Sequence, residues 1–399
     1  MVAVLACGLP MIAWSLGVDR VHRNPSTGID WDRPRPPRAE TREISITKLV
    51  GLWCTWAIIA AAYCVGRWYW QGNYRFAMQM LAALVPLLIV GSIPYVLWLD
   101  RRLIDPRDGA WHFGLWLTGR GDRADRGEIA GHARAWAVKG FFTAFMISGV
   151  PQNWAWLINY DLSRLGSGPA ALAAWLIGMM FLIDMAMATV GYLLTMRPLD
   201  AHIRSANPYA AAWAAALICY PPFGLMNPGG PLDYHRNGAE WDRWLAGHGW
   251  LLAADAVALV GLTAVYAWAT VAFGPRFSNL TNRGILTHGP YRWTKHPAYL
   301  AKNLFWWGSS LPILATSGHW LDSVRNTALL AVVSGVYYWR ARTEERHLMA
   351  DPAYRAYAAW MDANAPIPRL LRACGIAPRP APIPTPAGSV SSSVRRRRG

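Results

Sequence analysis

Two polar stretches, residues 283–299 and 340–348, interrupt the apolar pattern of the chain and carry the side chains best suited to chemistry. Imidazole, ammonium, phenol, guanidinium and carboxylate groups all occur in them: Tyr291, Lys295, His296, Tyr299, Arg340, Arg342, Glu344 and Glu345. Carboxylates pair with an ammonium group, guanidinium groups bind a carboxylate through two parallel hydrogen bonds, and tyrosine rings offer faces to an aromatic base. Together, the two stretches could bind a ligand with an amine, a carboxylate and an adenine, the polar parts of S-adenosylmethionine.

The sequence between the two stretches indicates how they meet. Two apolar runs, residues 298–315 and 326–339, lie between them and are separated by Gly318. A helical hairpin returns the chain to the side on which it began, so both polar stretches should face one membrane surface. His296 precedes Pro297, an order that disfavours helix at His296 and lets a helix begin at Pro297. The free amide groups at that helix start favour a carboxylate.

The composition predicts an integral membrane protein. The 399-residue chain is 54% hydrophobic and 16% charged, whereas a soluble domain carries about 25% charged residues. Its 24 tryptophans favour membrane interfaces. Runs of the length that a bilayer requires predict an all-α, polytopic fold with about eight or nine transmembrane helices. The runs are residues 2–18, 49–65, 77–99, 141–158, 170–194, 209–225, 251–273, 298–315 and 326–339.

Basic residues are concentrated in certain loops and predict the orientation of the chain. The net charge is +16, and arginine is dense in residues 20–48 and 101–139 but sparse in residues 66–76. Basic loops stay cytoplasmic, which places residues 274–297 and the chain after Arg340 on that side as well. Their location between apolar runs argues against a nucleic-acid partner. The five cysteines form no CxxC pair, so no metal site is predicted.

The order of the polar elements resembles a known enzyme family. Residues 289–299, then the hairpin, then residues 340–348 with Tyr354, Tyr357 and Pro366 behind them, are similar to the isoprenylcysteine carboxyl methyltransferase family. The same order recurs in the related phospholipid methyltransferases. The resemblance implies a membrane-embedded methyltransferase that uses S-adenosylmethionine, with the cofactor site formed by the C-terminal helical hairpin.

The resemblance also implies roles for individual residues. The cofactor-binding residues that it implies are Leu286, Tyr291, His296, Pro297, Tyr299, Glu344 and Glu345. Glu344 is expected on the amino group of the cofactor. The catalytic group implied is an arginine facing the acceptor carboxylate, either Arg340 or Arg342. Arg340 is favoured because it precedes Glu344 by one helical turn.

The chain departs from the family pattern on the acceptor side. Lys295 stands where the family usually has arginine, and Ala301 with Lys302 replaces a common glycine-containing pair. The acceptor side is therefore expected to differ. The resemblance covers only part of the chain, roughly residues 280–370. The chain is therefore expected to have three parts. They are an N-terminal multi-span region at 1–272, a methyltransferase-like region at 273–375 and a disordered basic tail at 376–399.

The expected reaction is methyl transfer to a lipid-like or prenylated acceptor at the cytoplasmic membrane face, with O-methylation of a carboxylate favoured. The expected partners are the lipid bilayer and this amphiphilic acceptor, and the expected location is a membrane, the inner one if the source is bacterial. The sequence leaves the oligomeric state open.

Two other functions fit parts of the sequence. A membrane reductase of the sterol type has a similar His-Pro-x-Tyr element and would use NADPH. The acidic pair Glu344-Glu345 argues against it, because a dinucleotide phosphate prefers cations. A non-enzymatic transporter or scaffold is the second alternative. Asp184, within an apolar run, would mark a substrate path in a transporter or would be a partnered structural carboxylate.

Overall fold

The protein is mostly helical in the computed structural model, which describes residues 2–32, 36 and 38–375. The helices of the N-terminal half are α1 (Val2–Gly17), α2 (Arg38–Val65), α3 (Tyr74–Asp100), α4 (Gly109–Leu117), α5 (Arg126–Ile158) and α6 (Pro169–Leu193). Those of the C-terminal half are α7 (Ala210–Leu217), α8 (Trp241–Trp244), α9 (Gly249–Phe273), α10 (Pro297–Ser310), α11 (Trp320–Leu348), α12 (Pro352–Asn364) and α13 (Pro366–Ala373). The predicted basic tail, residues 376–399, lies outside the described residues.

In the part of the chain that the structure describes, four helices are long and apolar enough to cross a bilayer. By length and composition, they are Ala39–Val65, Tyr74–Asp100, Pro169–Leu193 and Gly249–Arg276. The first apolar run forms α1, which is apolar but only 16 residues long. The prediction of a helical chain with several membrane-spanning segments is supported, whereas eight or nine spans are not shown.

The predicted span at residues 209–225 is not one long helix. Its helical part, α7, has eight residues, which is about 12 Å at a rise of 1.5 Å per residue. The run is apolar, but Pro221 and Pro222 lack the amide hydrogens that would continue a helix. Apolar composition alone therefore gave the wrong element here.

The chain nevertheless returns across the bundle between α6 and α9, because these two helices run parallel. Near their starts, Ala173 and Ala256 share one core cluster with Trp241. Beyond their ends, β1 (Ser205–Ala206) pairs antiparallel with β2 (Thr281–Asn282). The connection between α6 and α9 must therefore cover the length of the bundle, using α7 and irregular chain. Irregular backbone at membrane depth is tolerated where it is buried in protein.

The predicted C-terminal hairpin is present as α10 and α11. The helix α10 ends where Leu311 adopts a left-handed conformation before Pro312. The two helices pack side by side, with Trp307 Nε1 donating to Ser334 Oγ at 3.1 Å. The end of α11 therefore lies beside the start of α10.

A buried ion pair joins α2 to α3 and yields a prediction about stability. Lys48 Nζ lies 2.6 Å from one oxygen of Asp100, and Ser45 donates to the other oxygen at 2.8 Å. Replacing Asp100 with alanine should lower the free energy of unfolding by about 3 kcal/mol, because a buried charge loses its partner. The loss falls at the low end of the usual range since Asp108 still lies 3.1 Å from Lys48.

The matched control for that prediction is the exposed ion pair between Arg120 and Glu43, which lie 2.5 Å apart. Replacing Glu43 with alanine should cost less than about 1 kcal/mol. Reversible unfolding in mixed micelles, followed by far-ultraviolet circular dichroism, measures both variants. Equal losses for the two variants would contradict a structural role for the buried pair.

Candidate functional site

A cavity opens where the ends of α9, α10 and α11 meet the loop of residues 274–296. It holds about 1060 Å³ of empty space, including its mouth to solvent. The space is continuous with solvent, and residues of α12 line it as well. Tyrosines from several elements line it: Tyr220, Tyr266, Tyr291, Tyr299, Tyr337, Tyr354 and Tyr357. Tyr220 and Tyr266 lie before the predicted boundary at residue 273, so the wall also uses the N-terminal part.

An acid–imidazole cluster forms at one side of the cavity, where the two polar stretches meet. His296 Nε2 lies 3.1 Å from Glu345 Oε1, and His296 Nδ1 lies 4.0 Å from Glu344 Oε2. Tyr299 donates its hydroxyl to Glu344 at 2.9 Å. The rings of His296 and Tyr299 stack with centroids 5.5 Å apart. The hairpin therefore brings together groups that are about 45 residues apart in sequence.

The local sequence explains how His296 is placed. Its backbone is non-helical, with φ −132° and ψ 60°, and Pro297 is the first residue of α10. Proline restricts the residue before it and has a backbone shape suited to a helix start. The imidazole is thus held at the beginning of α10, beside the end of α11. Pro297 itself lines the cavity.

The two adjacent glutamates have different surroundings. Glu345 lies within 3.5 Å of Lys295 and 3.1 Å of Arg342, in addition to His296. Burial disfavours its charged form, but the hydrogen bond from His296 and the nearby cations outweigh this and lower the pKa of Glu345. Glu344 lines the cavity, whereas Glu345 does not. Of the two, Glu344 is therefore the carboxylate that faces the cavity.

The structure distinguishes between the two candidate arginines. Arg340 is 5% exposed, lines the cavity and donates to Asn279 Oδ1 at 3.2 Å. Its guanidinium carbon lies 5.0 Å from the ring centroids of both Tyr299 and Tyr337. The side chain of Arg342 is 62% exposed and points away from the cavity lining to Glu345. Of the two alternatives, the geometry favours Arg340 and leaves Arg342 outside the cavity.

The remaining predicted residues form a buried wall. Leu286 and Tyr291 are both buried and share a cluster with Ala269 of α9. Tyr357 of α12 donates its hydroxyl to the backbone carbonyl of Tyr291 at 2.6 Å. Tyr354 lines the cavity from the same helix. The tyrosines that follow α11 in sequence thus close the cavity on this side.

Arg283 has a structural role in the site that the sequence did not indicate. It is 2% exposed, and its guanidinium donates to the backbone carbonyls of Ala201, Gly191, Phe277 and Leu194. Two of these carbonyls belong to the end of α6, where helical partners are lacking. Arg283 therefore ties the cavity loop to α6. Its acceptors are all backbone atoms, so no side-chain pattern could indicate them.

The sequence singled out Lys302 only as a departure from the family pattern on the acceptor side, and the structure gives its position. Lys302 lines the cavity, and its Nζ lies 4.5 Å from the ring centroid of Tyr266. Tyr266 donates its hydroxyl to Asp184 at 2.7 Å, and Thr270 donates to the other oxygen of Asp184. Of the two interpretations given above, a substrate path or a partnered structural carboxylate, these hydrogen bonds favour the second for Asp184. Lys302 faces the cavity rather than the outer surface.

Comparison with known proteins adds a family match but no activity. Residues 237–361 match a family described as a protein of unknown function (DUF1295). The matched region runs from α8 into α12 and includes α9, α10 and α11. It thus contains most of the cavity wall and extends further toward the N-terminus than the resemblance at residues 280–370. No curated protein and no solved structure matches the chain.

Proposed function

We propose that the protein is a membrane-embedded methyltransferase that uses S-adenosylmethionine and acts on a lipid-like or prenylated acceptor. One observation supports the proposal most strongly: the carboxylate of Glu344 and the buried guanidinium of Arg340 line the same cavity. The carboxylate suits an ammonium group. The arginine suits an acceptor carboxylate.

The residues of the cavity fit the parts of S-adenosylmethionine. Glu344 and Tyr299 would hold its amino group, since their oxygens lie together on the cavity wall. Lys295 and the start of α10 would face its carboxylate. The wall that contains Leu286 and Tyr291 would receive the adenine.

The chemistry assigns the protein an orienting role. When bound, S-adenosylmethionine supplies a methyl group that carries the positive character of its sulfonium. An acceptor carboxylate is already ionised and needs no general base, so the chain's task is to align it, through Arg340, toward the cofactor end at Glu344. Alignment of this kind can contribute about 7–11 kcal/mol. Both residues face the cavity, whose wall is rich in tyrosine.

Binding of S-adenosylmethionine tests the cofactor site directly. The wild-type protein in nonionic detergent should bind S-adenosylmethionine in a calorimetric titration. The double variant Glu344→Ala/His296→Ala should bind at least about tenfold more weakly, because it loses a charge-assisted contact and the group that organises it. NADPH in the same cell separates the proposed methyltransferase from a sterol-type reductase and should give no heat of binding.

The matched control is the double variant Glu43→Ala/His319→Ala, which changes the same residue types at exposed positions away from the cavity. Its affinity for S-adenosylmethionine should equal that of the wild type. Undiminished binding in the Glu344→Ala/His296→Ala variant would refute the proposed cofactor site. Saturable NADPH binding with no binding of S-adenosylmethionine would favour the reductase.

We further propose that the α10–α11 hairpin and α5 add to the membrane-embedded part of the chain. The outer faces of α10 and α11 expose Leu300, Leu304, Val324 and Val332. Large exposed apolar surfaces of this kind fit contact with lipid. This arrangement would let an amphiphilic acceptor reach the cavity from the bilayer and a soluble cofactor reach it from water.

A further inference from the structure

Charge is distributed over two levels of the cavity. The outer level contains His296 and Glu344, near the helix ends. The inner level contains Lys302 and Arg340, which lie on the same two helices but deeper. Lys302 follows His296 by six residues and Arg340 precedes Glu344 by four, which is about 9 Å and 6 Å along the helix axes. A ligand that spans both levels would meet an acidic end and a basic end.

The inner cations have no carboxylate partner among residues 2–32, 36 and 38–375. Arg340 contacts the Asn279 amide oxygen and aromatic rings. Lys302 contacts the rings of Tyr266 and Trp306, at 4.5 Å and 6.0 Å. Cations removed from water are costly unless they are paired. Contacts with ring faces compensate only part of this cost.

One buried carboxylate close to this level, Asp184, is already used by other side chains. Asp184 lies behind the cavity wall, and its two oxygens accept hydrogen bonds from Tyr266 and Thr270 on α9. With two cations and one carboxylate, the inner level carries an excess of one positive charge. That excess matches a ligand head group with one negative charge.

We propose that Lys302 and Arg340 together form the acceptor subsite, which binds the monoanionic head of an amphiphile and rejects an ammonium head. This inference rests on the proposed methyltransferase function and deepens it by naming the acceptor class. Lys302 is the residue that determines specificity, because without its charge the inner level would contain one cation, Arg340, and one carboxylate, Asp184, with no excess of positive charge. A carboxylate amphiphile fits the subsite, whereas a lipid amine would place like charges together.

The subsite can be tested without S-adenosylmethionine. Octanoate, octanamide and octylamine share one apolar tail and differ in head-group charge. In calorimetric titrations in nonionic detergent at neutral pH, the full-length wild-type protein should bind octanoate at least about tenfold more tightly than octanamide. Octylamine should not compete with octanoate.

Three variants assign the effect to Lys302. Lys302→Met, which keeps the length of the side chain without its charge, should lose at least about tenfold in octanoate affinity. Lys302→Arg should retain octanoate binding to within about threefold, because it keeps the charge. Arg243→Met is the matched control at an exposed position and should bind octanoate as the wild type does.

The outcomes separate this inference from the proposed function. Lys302-dependent octanoate binding without any binding of S-adenosylmethionine would keep the anion subsite and reject the methyltransferase. Binding of S-adenosylmethionine with octanoate affinity that is absent, or unchanged in Lys302→Met, would reject the subsite. If Lys302→Met does not fold, Lys302→Gln takes its place and is compared with Lys302→Arg. A preference for octanoate that is lost in Lys302→Gln and kept in Lys302→Arg supports the subsite. Equal octanoate affinity in these two variants overturns it.

Discussion

Replacing Arg283 with methionine is expected to destabilise the protein by about 3 kcal/mol or more, because several buried carbonyls then lose their donor. Arg283 donates to the carbonyls of Gly191, Leu194, Ala201 and Phe277. A methionine side chain can donate to none of the four. The loop on which the cavity depends would also lose its attachment to α6, so binding of S-adenosylmethionine should weaken together with stability.

Two further variants show whether the effect comes from this geometry. Arg283→Lys keeps the positive charge but cannot reach four carbonyls at once, so most of the stability should still be lost. Arg292→Met removes an exposed arginine of the same loop, and should cost less than about 1 kcal/mol. Unfolding in mixed micelles measures all three. Similar losses for Arg283→Met and Arg292→Met would show that the bridging hydrogen bonds contribute little.

The parts of the site that could be predicted from sequence depend on short-range rules. The order His296-Pro297 predicts where α10 begins, and two apolar runs of hairpin length predict that its start meets the end of α11. These rules place His296 near Glu344 without knowledge of any other helix. They do not decide between Glu344 and Glu345, because neighbouring residues on a helix point in different directions. Only the packing of α11 shows that Glu344 faces the cavity.

The parts that could not be predicted depend on contacts between distant segments. The acceptors of Arg283 are backbone carbonyls, which have no sequence signature. Lys302 resembles any lysine near a membrane helix end until the ring of Tyr266 shows which way it points. Residues 209–225 have the composition of a span, but Pro221 and Pro222 limit the helix to a short piece. Apolar composition predicts burial or lipid contact more reliably than it predicts helix length.

Residues 209–225 do not form the predicted spanning helix, but the chain still returns across the bundle in this region. The reason is that α6 and α9 run parallel. Asp184 of α6 meets Tyr266 and Thr270 in the second half of α9, and Ala173 and Ala256 share a cluster nearer the starts of both helices, so the two helices run the same way. The intervening segment must return across the bundle, whatever its local structure. A crossing by a short helix and irregular chain also brings Tyr220 to the cavity wall. A continuous helix would not bend toward the hairpin there.

Replacing Arg340 with methionine is expected to have the largest effect on activity. Transfer of tritiated methyl groups from S-adenosylmethionine to a total lipid extract should fall at least about a hundredfold, because the acceptor loses a buried, charge-assisted partner in a low-dielectric site. The affinity for S-adenosylmethionine should remain within about twofold of wild type, since Arg340 lies about 6 Å deeper than Glu344 along α11. Arg340→Lys should recover only part of the transfer, because a lysine cannot form the two-pronged contact.

The matched control for Arg340 is Arg342→Met, two residues further along α11. The side chain of Arg342 is 62% exposed and pairs with Glu345 outside the cavity, so methyl transfer should fall less than about threefold, in keeping with the small contribution of an exposed ion pair. Both variants remove one arginine from the same helix, and they differ in whether that arginine faces the cavity. Equal losses would place the acceptor at the outer surface of α11. A selective loss in Arg340→Met would place it on the inner level beside Lys302.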